Sequence, residues 1–195
     1  MSGGIADLPL FPLRTVLFPG GRLPLRLFEQ RYLTMAKACL RDESPFGVCL
    51  IREGGEVGAP ASPYEVGCLA RISAWDMPQL GVLQVLALGT RRFRIQERRV
   101  QADGLARASV ALPEEEADAA LDGTDVCVRI LRRAIESGGE ALVEPPLRYD
   151  SAAWVGARLA ELLPLSPEAR QRLLEMDSAA DRLEVLRRLV RPAGQ

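Results

Sequence analysis

Within RRFRIQERRV (91–100), Arg92, Arg94 and Arg98 fall at even spacings. A strand there presents guanidiniums on one face and Phe93 and Ile95 on the other. Forked guanidiniums grip phosphate or carboxylate groups, so this face suits RNA or an acidic polypeptide. Aromatic side chains for stacking bases are scarce beside it and the net charge is -1, which disfavours nucleic acid as a partner. The competing reading is the solvated outer face of a sheet buried on one side.

Other chemistries find little support. The chain has no histidine, which removes Ser-His and Cys-His nucleophiles and the commonest general base. Lys37, the only lysine, lies in a predicted helix and reads as a solvated ammonium rather than half of a Ser-Lys dyad. Cys39, Cys49, Cys68 and Cys127 are scattered without a C-x-x-C pair, whereas structural zinc sites use close-spaced pairs; they read as small buried thiols. Neither a G-x-x-x-x-G-K-[ST] loop nor G-x-G-x-x-G is present. Glu114–Glu116 could pair carboxylates, but it sits at a composition break and reads as a solvated spacer. No catalytic residue, metal or cofactor is expected, and the protein is read as a non-enzyme.

The elements that must position these residues divide into two sets. From Leu8 to about Leu112, short apolar runs are bounded by Gly, Pro and Ser, the punctuation of β-structure. Strands are predicted over 46–53, 65–75, 81–89, 91–100 and 105–112, with roughly six in all. FEQRYLTMAKACLRD instead repeats its apolar residues at helical spacing and sets one helix among the strands. A domain boundary is placed between 113 and 114. Helices are predicted over 118–137, 151–163, 167–176 and 179–190, with Ser166 and Ser178 as N-caps. The last has Leu183, Leu186, Leu189 and Val190 on its core side and Arg182, Arg187, Arg188 and Arg191 mostly opposite. Four such helices can bury their apolar sides on one another.

VLFPGGRLPLRLFEQRYLTM (16–35) mixes large apolar residues with Pro19, Gly20, Gly21 and Pro24. Proline is confined to sheet edges, first positions and bulges, so the stretch reads as the rim of a barrel, with Pro19-Gly20-Gly21 as a turn. Alternation sends Leu23, Leu25 and Leu27 inward and Pro24, Arg26 and Phe28 outward. An edge flanked by apolar side chains suits an extended polypeptide, which adds main-chain hydrogen bonds and drops side chains into shallow apolar sites. The residues assigned to that role are Phe11, Phe18, Pro19, Phe28, Arg31 and Tyr32.

LPLFPLRTVLFPGGRLPLRLFEQRYLTM, FGVCLI, VGCLARI and GTRRFRI, in that order over residues 8–112, resemble the N-terminal, substrate-recognising domain of Lon proteases in its stand-alone bacterial form. The tail WVGARLAELLPLSPEARQRLLEMDSAADRLEVL resembles the helical segment that follows in the same family. The resemblance implies an α+β fold: a PUA-like β pseudo-barrel with one inserted helix (1–113) and a C-terminal α-helical bundle (114–195). It also implies capture of unfolded or extended polypeptides, passed to a separate protease or chaperone, without the ATPase and peptidase modules of the protease. RNA binding through Arg92, Arg94 and Arg98 is the alternative.

The longest uncharged run, Met77–Thr90, is interrupted by Gln79 and Gln84 and falls short of the ~18 apolar residues of a membrane span, so no membrane role is expected. The N-terminus carries Asp7 and no basic n-region, which predicts a cytoplasmic protein.

Overall fold

Two compact units, Met1–Glu114 and Glu115–Gln195, make up the chain in a computed structural model that describes residues 3–114, 118–139 and 143–190. Glu115 and Glu116, in the acidic stretch read as a spacer, lie outside the described residues.

The first unit is a mixed sheet: β1 (Gly4–Leu13), β2 (Arg22–Leu27), β3 (Phe46–Glu53), β4 (Ser62–Gln79), β5 (Val82–Val100) and β6 (Ala106–Ala111), with helix α1 (Gln30–Asp42) between β2 and β3. Spatial order is β2-β5-β4-β3-β1-β6, and β6 returns to pair with β5. Five strands therefore close a ring, and β2 hangs on its outside. Only β1 and β3 run parallel; the other pairs are antiparallel. Along one side β5 changes partner: its first part pairs with β2 through Val85 and Leu88, its last part with β6 through Arg94 and Val100.

The two strands expected over 81–89 and 91–100 are thus one. Gly89, which reads as punctuation, instead lets the main chain come close: a Cβ there would run into the Phe18 carbonyl oxygen. Gly20 donates to Gly89 O and Gly89 to Gly21 O, both at 2.8 Å, while Gly21 N–H closes a turn onto Phe18 O at 2.9 Å. Gly20 takes φ 76° at the centre of that turn. Alternation in β2 is as expected, with Leu27 buried, Leu23 and Leu25 half-buried, and Pro24 and Arg26 exposed.

Two apolar clusters fill the unit. One gathers Phe11, Leu27, Tyr32, Met35, Phe46, Val85 and neighbours; the other gathers Leu8, Leu10, Cys49, Phe93, Ala108 and Val110 among others. All four cysteines of the chain are buried free thiols, and burial pushes Cys49 up to about 12.

In the second unit α2 (Val126–Ala134), α3 (Ala152–Leu162), α4 (Pro167–Glu175) and α5 (Ala179–Val190) carry the apolar stripes. The helix predicted from 118 starts eight residues later. Ala120 instead forms a bridge with Ser151, Asp122 holds the Thr124 N–H at 2.8 Å, and Asp125 caps the helix through Cys127 N–H at 2.8 Å. Ser166 and Ser178 accept from Ala169 N–H (3.2 Å) and Asp181 N–H (3.1 Å), as their positions predict. On α5 the buried row is Ala179, Arg182, Leu183 and Leu186. Arg182 therefore turns inward, against expectation, and Leu189, seven residues past Arg182 on the same side, is left exposed at the end of the helix. Among the described residues no helix is long and apolar enough to cross a membrane, and no three metal-ligating side chains converge.

Candidate functional site

The apolar side chains left open on the first unit concentrate around β2 and the β4–β5 turn. Phe28 is 55% exposed, Trp75 59%, Met77 43% and Leu80 97%. Gly81, at φ 83°, turns β4 into β5, so Leu80 stands at the tip of a long hairpin. Register places Trp75 beside Val85, and Val85 beside Leu25, in one cross-strand row.

Two hollows flank β2. An open depression of about 520 Å³ is lined by Pro24, Leu25, Arg26, Ala74, Trp75 and Leu86, among others. A tighter cleft of about 170 Å³ has Phe11, Leu13, Phe28, Tyr32 and Val57 around it, with Glu29 and Glu56 at its margin. Both take Pro24, Leu25 and Arg26 from β2, so this short strand is the wall between them.

α1 supplies Tyr32 to the cleft, β1 supplies Phe11, and their rings meet at 4.4 Å between centroids. Burial raises the Tyr32 hydroxyl above its ordinary range; the Arg31 guanidinium offsets part of this, and Glu29 and Glu56 add to it. Arg31 lies over the Tyr32 ring, 4.7 Å from its centroid, and is itself buried. It pairs with Glu29 at 2.8 Å and donates to Gly104 O at 3.2 Å, which fastens the start of α1 to the β5–β6 turn. Glu56 accepts from the Arg14 N–H at 2.6 Å.

Of the six residues singled out from sequence, Phe11, Phe28 and Tyr32 come together at the cleft, and of these Phe28 alone is exposed. Phe11 and Tyr32 are core residues that also line the cleft. Arg31 stands behind it as an anchor. Phe18 is buried and Pro19 half-buried in the segment that packs on Gly89, and neither lines either hollow. Trp75, Met77 and Leu80 are missed by the sequence reading; their signal is AWDMPQLGVL (74–83), three large apolar residues just ahead of a turn glycine.

The arginine row does not form. Arg92 is buried; Arg94 is exposed, with Glu65 at 3.9 Å. A bulge between Ile95 and Glu97 shifts the alternation, so Arg98 comes opposite Ala108, on the face of Ile95 and Val110, where it donates to Ala61 O at 3.3 Å. The extra residue turns Arg98 to the face opposite Arg92 and Arg94.

A sheet closed into a ring of five strands, one outlying edge strand with apolar hollows beside it, and a helical unit later in the sequence define the architecture. The sequence matches the family of ATP-dependent protease La (LON) substrate-binding domains over residues 7–191, and the chain belongs to that family. A crystal structure of a Lon N-terminal domain protein from Xanthomonas campestris is 41% identical, covers 96% of this chain and 100% of its own, and superposes with a TM-score of 0.79. The N-terminal domain of a Mycobacterium avium complex Lon protease shares the fold at a TM-score of 0.61 and 16% identity, over 92% of this chain and 95% of its own. Cereblon from Danio rerio is 30% identical over 115 residues, 56% of this chain and 26% of its own length. The Lon protease of Anaeromyxobacter dehalogenans is 35% identical over 94 residues, 47% of this chain and 11% of its own. The chain thus spans about a quarter or less of the length of these two relatives.

Proposed function

We infer that the protein is a non-enzymatic recognition module that captures unfolded or extended polypeptide on the surface around β2, for delivery to a separate protease or chaperone. The observation that carries this reading is the group Phe28, Trp75, Met77 and Leu80, open on a unit whose core is otherwise well filled. Large exposed apolar side chains cost solubility, and grouped around a strand with one open edge they suit transient contact with the apolar residues a folded protein hides. The substrate-binding family is consistent with that role. Arg92 is buried and Arg98 is turned to the face opposite Arg94, which counts against the RNA reading.

The test is fluorescence anisotropy of the protein against a labelled, permanently unfolded polypeptide, its folded counterpart and a single-stranded RNA, each at low and moderate salt. Selective binding of the unfolded chain at both salts is expected. Binding of RNA alone, lost as salt rises, would overturn the reading, because phosphate contacts release counterions.

A further inference from the structure

We propose that the bound segment is held as an added β-strand on the free edge of β2, in a register set by Pro24, rather than by its side chains alone. This rests on the polypeptide-capture reading and specifies its chemistry.

β2 is the terminal strand of the sheet order, hydrogen-bonded to β5 on one side only. Six consecutive residues of β2 and its continuation, 24–29, line the tighter cleft, so the cleft borders the edge of the strand and not just one of its faces. The direction of each backbone group follows from the ladder. Gly89 N–H donates to Gly21 O, and pairing then runs unbroken from Arg22↔Leu88 to Leu27↔Leu83. Backbone groups alternate sides along a strand, so Leu23, Leu25 and Leu27 face β5 as Gly21 does. Arg22, Pro24 and Arg26 face away. Pro24, which has no N–H, therefore sits where the sheet loses no bond by it.

Along the stretch that borders the cleft, the free edge offers one donor, Arg26 N–H, and two acceptors, the carbonyls of Pro24 and Arg26. An extended segment meets these with every second residue. The side chains that fall opposite Leu23, Leu25 and Leu27 point to the side on which Phe11, Leu13 and Tyr32 lie and are apolar in the preferred segment. The intervening ones lie beside Arg22, Pro24 and Arg26, which are partly or fully exposed, and are unrestricted. The donor missing at Pro24 leaves one carbonyl of the segment to water, which blunts the edge against permanent pairing with a second copy of this chain.

The experiment uses the wild-type protein and a lysine-flanked peptide of alternating valine and threonine, fluorescein-labelled, with two backbone N-methylated versions: one methylated at the valines and one at the threonines. Strand addition predicts that one version binds roughly tenfold more weakly, through two lost main-chain bonds and the clash of the methyl groups, while the other binds as the parent does. Equal effects of the two versions, or none, with the parent peptide bound, would overturn strand addition and leave capture through side chains standing. Failure of the parent peptide to bind, while an unfolded polypeptide does bind, would also overturn it; failure of both would overturn the capture reading itself. A second arm restores the donor: Pro24→Val is expected to bind the parent peptide several-fold more tightly or to self-associate in sedimentation. An unchanged affinity in a folded, monomeric Pro24→Val protein would count against the register.

Discussion

The two units differ at the extremes of the boundary between apolar and polar, although Arg31 and Arg92 are buried in the first and Leu189 is exposed in the second. The barrel unit leaves Phe28, Trp75 and Leu80 in water, whereas the helical unit takes Arg158 and Arg182 out of it, at 1% and 3% exposure. In the helices the buried charge has a structural task. Arg182 donates to Leu173 O (3.0 Å) and Met176 O (3.1 Å), which completes the end of α4, and Arg158 pairs with Glu161 at 2.9 Å. No comparable internal duty explains the open residues of the barrel. Buried polar groups that are satisfied report on folding; exposed apolar groups beside an unpaired edge report on what the surface meets.

Arg182→Met gives the largest expected effect. It leaves the ends of Leu173 and Met176 without their donor and should destabilise the helical unit by about 3 kcal/mol in urea unfolding. Peptide affinity at the barrel should be unchanged in the folded variant, and a parallel loss of affinity would break the contrast between the units. Gly89→Ala forces a methyl group against the Phe18 carbonyl and should cost the barrel about 2 kcal/mol, read by the same unfolding method. A neutral result would mean that the 16–21 segment yields easily and does not brace β2.

Phe28→Ser with Trp75→Ser should behave oppositely. Stability should change by less than about 0.5 kcal/mol, since both side chains are more than half exposed, while affinity for unfolded polypeptide falls roughly tenfold. The smallest effect concerns Asp118. Burial alone would raise its carboxyl; hydrogen bonds from Ala153 N–H, Ser151 and Ala119 N–H, with Arg148 nearby, hold it below the ordinary range. Its contribution is therefore present above the ordinary carboxylate pKa and is lost as pH falls through the lowered value. Melting temperatures of wild type and Asp118→Asn should differ at neutral pH and converge in acid; a constant difference would mean that the charge plays no part.

Much of this contrast was readable from local rules. Ser166 and Ser178 cap where their spacing says, and β2 alternates as LPLRLF predicts, because both depend on neighbours in sequence. What failed depends on distant partners. Gly89 could be known as a contact for Phe18 rather than a turn only once β5 was folded back on residues 18–21. The bulge that turns Arg98 away leaves no mark in RRFRIQERRV. Arg182 looks like a solvated residue until α4 ends beside it. The cleft was half legible for the same reason. Phe28 alternates outward and is open, but the burial of Phe11 and Tyr32 follows from α1 packing over β1, and the exposure of Trp75 from a hairpin that outruns its neighbours.

The central claim, that the open apolar residues around β2 are the recognition surface, is tested most directly by one titration. The Kd for a permanently unfolded, labelled polypeptide is measured by anisotropy for wild type and for the Phe28→Ser, Trp75→Ser double variant, at two salt concentrations. The variant should bind more weakly at both salts with its urea midpoint unmoved; equal affinities for the two proteins would overturn the assignment of this surface.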